Sequence, residues 1–203
     1  MNEDNPHQDD VLEDEGNRQE RRERLFFFRE AVEVIKILII SLAIVVPIRY
    51  FVVQPFIVRG ASMEPNFEDS QYLIIDELSY YLREAKRGES IVFRYPKDPD
   101  QFFIKRIIGL PGERMEINDG AVWIFSEAHP AGFVLEEPYL AASDRRTKPD
   151  MEIELGPDEY FVLGDNRDFS SDSRVWGALG RRFIVGRAAF RAWPLGEIGV
   201  VGE

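Results

Sequence analysis

The most continuous apolar stretch of the chain lies near its N-terminus, where the 23 residues from Ala31 to Val53, AVEVIKILIISLAIVVPIRYFVV, carry charge only at Glu33, Lys36 and Arg49. Wound as a helix rising ~1.5 Å per residue, the stretch reaches about 34 Å, against a bilayer core of about 30 Å. Its charge-free part, Ile37–Ile48, holds 12 residues, a length that also suits a buried core helix or the apolar centre of a signal peptide. Lys36 and Arg49 can extend their charged tips outward from the two ends, which restores a full span. A long polar segment precedes the run and no small-x-small site follows it closely, so a cleaved signal peptide fits poorly. The pattern predicts an uncleaved transmembrane helix over 31–53.

Beyond Val53 the pattern changes. Short apolar runs at Tyr72–Ile75, Ser90–Phe93, Phe102–Ile108, Tyr160–Leu163 and Phe183–Val185 are broken by Gly, Pro, Asn and Asp at short intervals, which is the signature of strands. Arg114–Ile117, then Asn118-Asp119-Gly120, then Ala121–Phe125 predicts a β-hairpin. No helical period of ten or more residues occurs after position 54. Residues 126–150, with Pro130, Gly132, Pro138 and the Asp144-Arg145-Arg146 cluster, read as an irregular excursion. The expected architecture is a mainly β domain over 54–203, preceded by one N-terminal transmembrane helix.

Charge refines this picture at the N-terminus. Residues 1–20 hold eight acids and one base and account for −7 of the net −12. Residues 1–30 therefore read as an acidic, disordered tail with a basic end beside the membrane. Five arginines (Arg18, Arg21, Arg22, Arg24, Arg29) lie in 16–30, against Arg59 alone in 54–73. The positive-inside rule then puts the N-terminus in the cytoplasm and 54–203 on the extracytoplasmic side. The rest of the chain carries no basic stripe, so nucleic acid is not an expected partner. The chain has no cysteine and two histidines, His7 and His129. Disulfides, thiolate metal sites and a cysteine nucleophile are thereby excluded, and a histidine triad or multi-histidine metal site is not expected. No cofactor or metal is called for.

Alternation along the Phe102–Ile108 run puts Phe103, Lys105 and Ile107 on one face. A lysine hemmed in by apolar neighbours loses hydration of its charged form, and its pKa falls. A neutral amine can take a proton from a serine hydroxyl, so without a usable histidine a Ser–Lys dyad is the simplest activated nucleophile here. The S-x-x-K pattern of penicillin-binding proteins does not occur.

Three segments carry a resemblance: Gly60-Ala61-Ser62-Met63-Glu64-Pro65, Phe103-Ile104-Lys105-Arg106-Ile107-Ile108-Gly109-Leu110-Pro111-Gly112, and Gly164-Asp165-Asn166-Arg167-Asp168-Phe169-Ser170-Ser171-Asp172-Ser173-Arg174. Each alone has a plain reading as a turn, a solvated strand or an Asx-turn with surface ion pairs. Their joint occurrence, order and preceding anchor resemble type I signal peptidases, membrane-bound Ser–Lys endopeptidases that remove signal peptides from exported preproteins. The resemblance covers roughly residues 30 to 200.

It implies Ser62 as nucleophile and Lys105 as general base. It also implies that Ser170 hydrogen-bonds and orients the lysine amine, that Asp172 and Arg174 pair to brace their segment, and that Asp165 and Asn166 support the same turn. Gly60 stands where the family often has a serine that helps bind the oxyanion, which leaves that task to main-chain N–H groups, Ser62's own among them, with glycine permitting close approach of substrate backbone. Asn66 stands where a threonine is usual. Phe56, Val58, Met63, Phe103 and Ile104 are implied as walls of a shallow pocket for alanine-sized side chains, although they also read as core residues. The implied fold has coiled antiparallel sheets that are partly barrel-like. The implied partners are secretory preproteins and the phospholipid bilayer of the cell membrane, which Trp193, Pro194 and Leu195 either touch or avoid by packing into the core. Two other readings stay open: a self-cleaving Ser–Lys repressor, for which the chain lacks a DNA-binding region, and a catalytically silent anchored module that binds peptides.

Overall fold

The computed structural model describes residues 29–30, 32–46, 54–140 and 146–201. The chain divides into two compact units, residues 1–49 and 50–203. In the first, residues 32–46 form helix α1. Its apolar side chains, from Val34 round to Val46, are exposed on every face. Among the described residues no helix is long and apolar enough to cross a membrane. Parts of the 31–53 span, and the whole acidic tail to residue 28, lie outside the described residues.

The second unit is mainly β, and every strand pairing in it is antiparallel. Strand β1 (Gln54–Ile57) pairs with β2 (Tyr72–Asp76), and β3 (Ser90–Tyr95) forms a hairpin with the long β4 (Asp98–Gly109). With β9 (Glu159–Leu163), β10 (Leu179–Gly180), β11 (Ile184–Trp193) and β12 (Gly199–Val200) they make one sheet in the order β1-β2-β11-β3-β4-β9-β10, β12 lying against β11. A four-stranded sheet has the order β7-β6-β5-β8, from β5 (Arg114–Asn118), β6 (Ala121–Ser126), β7 (His129–Val134) and β8 (Met151–Glu154). Among the described residues no pairing joins β1 to β10, so the barrel-like part of the expectation is not realised as a closed ladder. Among the described residues the α-helices that follow residue 54 are short, α2 (Ser79–Leu82) and α3 (Ser173–Trp176).

The predicted hairpin forms with Asn118 opposite Ala121. This leaves Asp119 and Gly120 as a two-residue turn with φ of 47° and 82°, the doubly left-handed turn that matches strand twist. The reading of 126–150 as irregular is corrected at His129–Val134, which is β7. Its pattern is hidden because Pro130 sits on an edge strand and Gly132 packs under the Phe125 ring, where a Cβ would meet ring carbon at 2.4 Å.

Strand β4 positions the chemistry because its C-terminal half is buried on both faces. Ile104 packs with Val58, Met63, Phe67, Leu73, Ile75 and Val92. Ile107 lies with Ile91, Phe93, Tyr160 and Val162, and Ile108 joins Met115, Ile117, Val122, Ile124 and Phe161 between the two sheets. Each such side chain contributes about 1.5–3 kcal/mol of burial. β9 pairs with β4 only from Arg106 onward. The edge of β4 before Arg106 on that side thus has no strand partner among the described residues.

Candidate active site

Ser62 lies in the β1–β2 connection, which is folded tightly on itself: Val58 N–H donates to Gln71 O at 2.9 Å, Ser70 N–H to Val58 O at 2.9 Å and Phe67 N–H to Met63 O at 2.9 Å. Met63 and Phe67 are fully buried and pin the loop to the core. Gly60 has φ of 82°, a region that side chains disfavour, although the space around a Cβ there is open. The backbone sign by itself calls for glycine at this position. Its N–H donates to Asp69 Oδ1 at 2.7 Å and is therefore engaged. The N–H of Ser62 makes no hydrogen bond among the described residues.

Lys105 comes up from β4 beneath this loop. Its Nζ lies 2.7 Å from Ser62 Oγ and donates to Ile104 O at 2.8 Å, and it stands 5.6 Å from the Phe103 ring centroid. The side chain is 4% exposed and has no carboxylate within ion-pair distance among the described residues. Burial pushes its ammonium down to about 8, against the pull of Asp172 and Asp165, which works the other way. Near neutral pH the amine therefore exists partly as a free base beside a hydroxyl, the arrangement that general-base activation of serine requires.

The two carboxylates are held by arginines. Asp165 accepts from Arg106 Nε at 2.8 Å and Nη2 at 2.5 Å, and from Asn66 Nδ2 at 2.9 Å. Asp172 accepts from Arg174 Nε and Nη2, both at 2.8 Å, and from Gly164 N–H at 3.0 Å. The expected Asp172–Arg174 pair is thus formed. Asn166 ties the turn to the serine loop: its N–H donates to Ser62 O at 3.1 Å and its Nδ2 to Ala61 O at 3.0 Å.

Ser170 differs from expectation. Its Oγ is buried without a hydrogen-bond partner among the described residues, so no bond to Lys105 is formed. It packs instead at Gly164, where a Cβ would come within 2.2 Å of Ser170 Oγ and 2.4 Å of Ser62 O.

A groove of about 830 Å³ opens over the dyad, lined by Phe56, Ile57, Arg59, Ser62, Phe103, Ile104, Lys105 and Ser171 among others. Of the five residues expected to wall it, Phe56, Phe103 and Ile104 do so. Val58 and Met63 are corrected to core positions, 1% and 0% exposed, because both pack against Ile104 from within. A hollow of similar volume, about 810 Å³, is lined by Tyr80, Tyr81, Arg181 and Phe183. It shares no residue with the groove, and its Tyr80 hydroxyl donates to Glu89 Oε2 at 2.8 Å. Trp193 and Leu195 are exposed rather than packed into the core. Sequence reasoning gave no role to Glu137, Tyr139 or Arg167, and treated Asn66 only as a departure. Asn66 and its two acceptors are 73 and 99 residues apart in the chain, and no local pattern signals such contacts.

Residues 31–193 match the family described as signal peptidase, peptidase S26. The chain is 36% identical over 182 residues to a probable signal peptidase I-2 of Synechocystis sp., covering 85% of this chain and 78% of that one. It is 36% identical to a signal peptidase I of Leptolyngbya laminosa, with 84% of each chain covered. A signal peptidase I of Bacillus amyloliquefaciens is 34% identical, over 80% of this chain and 88% of the relative. The chain belongs to the signal peptidase family, peptidase S26, and is a serine endopeptidase. Its family is that of the enzymes that remove signal peptides from preproteins.

Proposed function

We propose that the protein cuts signal peptides from secretory preproteins after small-x-small sites, with Ser62 as nucleophile and Lys105 as general base. The observation that carries this reading is the 2.7 Å approach of Lys105 Nζ to Ser62 Oγ in a buried setting that lowers the ammonium pKa to about 8, within reach of the neutral form. Neutral Lys105 takes the hydroxyl proton as Ser62 Oγ bonds to the scissile carbonyl carbon. The C–N bond then breaks as Lys105 returns that proton to the departing amine, leaving an acyl-enzyme ester. Water repeats the sequence: its proton goes to Lys105, its oxygen bonds to the carbonyl carbon, and the ester C–O bond breaks as Ser62 recovers a proton. The unengaged N–H of Ser62 is the donor available to the oxyanion.

Phe56, Phe103 and Ile104 would admit alanine-sized side chains and reject larger ones. The anchor reading over 31–53 is supported by α1, which beyond the exposed Glu33–Lys36 pair carries no charge and shows apolar side chains on every face, a pattern stable only in a large core or in lipid. The arginines of 16–30 favour a cytoplasmic N-terminus and an extracytoplasmic peptidase unit. Ile57, Tyr72 and Trp193 are neighbours in register and all exposed, which supports contact of that end of the sheet with the bilayer surface.

The test is cleavage of a secretory precursor by the purified protein in lipid or detergent, beside a folded Ser62→Ala variant. Wild type is expected to cut an Ala-x-Ala precursor and spare one with a bulky residue at the final position, and Ser62→Ala to cut neither. Cleavage by Ser62→Ala at the wild-type rate would overturn the reading.

A further inference from the structure

The buried polar groups behind the dyad close into a ring. Asn66 Nδ2 donates to Asp165 Oδ2 and to Tyr139 O, each at 2.9 Å. The Tyr139 hydroxyl donates to Glu137 Oε1 at 2.6 Å. Glu137 accepts both ends of the Arg167 guanidinium, Nη1 at 2.9 Å among them, and Arg167 Nε donates to Gly164 O at 3.1 Å. Gly164 leads back to Asp165. Arg106 completes the assembly, with its edge on Asp165 and its face over the Tyr139 ring at 4.0 Å. Glu137, Arg167, Asp165 and Arg106 are buried and Asn66 and Tyr139 half-buried, so the links among the charged groups operate away from water, where an unmade hydrogen bond is expensive.

We infer that Tyr139 and Glu137, in the excursion after β7, are positioning residues for the reaction: they clamp the Gly164–Asn166 turn against the serine loop and so fix Ser62 relative to Lys105. The transmission is short. The turn carries the Asn166 N–H that holds Ser62 O. It also packs so closely on Ser62 that a Cβ on Gly164 would overlap that carbonyl. A displacement of the turn therefore moves the nucleophile, while Lys105 stays with β4. Neither Tyr139 nor Glu137 is among the residues that line the groove. The inference rests on the Ser62–Lys105 reading.

The experiment uses the full chain with Tyr139→Phe, which keeps the ring over Arg106 and removes only the bond to Glu137, and Tyr139→Leu, which removes both. Competent sites are counted by the burst of acyl-enzyme formed on a chromogenic ester, and kcat per competent site and KM are measured on a precursor peptide. In Tyr139→Leu, kcat per site is expected to fall roughly 10–100-fold, the scale of a small misalignment, with KM within about twofold of wild type. In Tyr139→Phe a smaller fall in kcat is expected, again without a change in KM. Unchanged kcat per competent site in Tyr139→Phe, even with a lower Tm, would overturn the inference by making the contact purely structural. A rise in KM alone would overturn it by making Tyr139 a substrate contact. If Tyr139→Leu does not fold, Tyr139→Phe decides. A Ser62→Ala control that still forms the burst would sink the dyad reading itself, and so separates the two failures.

Discussion

Strand β4 carries two buried cations side by side, on opposite faces, treated in opposite ways. Arg106 meets a carboxylate edge-on, an aromatic ring on its face and Gly88 O at 2.7 Å. Its charge is compensated in all directions. Lys105 meets a hydroxyl, one carbonyl and an aromatic ring. The arginine cannot lose its proton at any ordinary pH, so it is usable only as a permanent charge. The lysine can, and the lack of a direct counter-ion among the described residues, with its burial, makes the neutral form accessible. One face of the strand is built for stability and the other stores an unfavourable charge for chemistry. Arg106 and Arg174 also pair with the two carboxylates that would otherwise hold the Lys105 proton in place.

Replacing Lys105 by methionine is the most severe way to break this contrast. Precursor cleavage is expected to fall by roughly 10⁴-fold or more, the scale on which members of an acyl-transfer unit act. Circular dichroism should stay native. Retained cleavage would mean that another group activates Ser62.

Arg106→Met attacks the other face. It leaves Asp165 charged, buried and short of two donors, which costs about 3–5 kcal/mol of unfolding free energy in a denaturant titration. A loss below about 1 kcal/mol would show that the pair is not the brace described here.

The same Lys105→Met variant sharpens the comparison through stability. With the ammonium pKa at about 8 instead of 10.5, the unfolded chain holds a proton between those values that the native protein has released. Stability therefore rises with pH through that window, and below it the native state carries the full penalty. Methionine removes the penalty, so at pH 7 the inactive variant should be more stable by about 1–3 kcal/mol. A destabilised variant would show that the lysine is not held against its charge.

The smallest effect is on the pH profile. With neutral Lys105 as the active form, kcat/KM should climb about tenfold per pH unit below a midpoint near 8 and level off above it. A flat profile across that midpoint would contradict a lysine base.

The sequence by itself determined the strand character of residues 54–203, the existence of the 114–125 hairpin and the pairing of Ser62 with Lys105 as candidates. These rest on local periodicity, on turn residues with positive φ and, for Ser62, on three motifs that resemble those of type I signal peptidases. What only the tertiary structure decided lies between residues far apart in the chain. Val58 and Met63 turn inward because β4 brings Ile104 over them. Ser170 packs on Gly164 instead of bonding the amine. β7 forms across a glycine and a proline because the Phe125 ring needs the room. The ring through Asn66, Tyr139, Glu137 and Arg167 exists because folding brings three distant loops to one buried point, where each polar group must find a partner or forfeit its hydration. Pattern reports what each segment prefers, and burial decides which of those preferences meet.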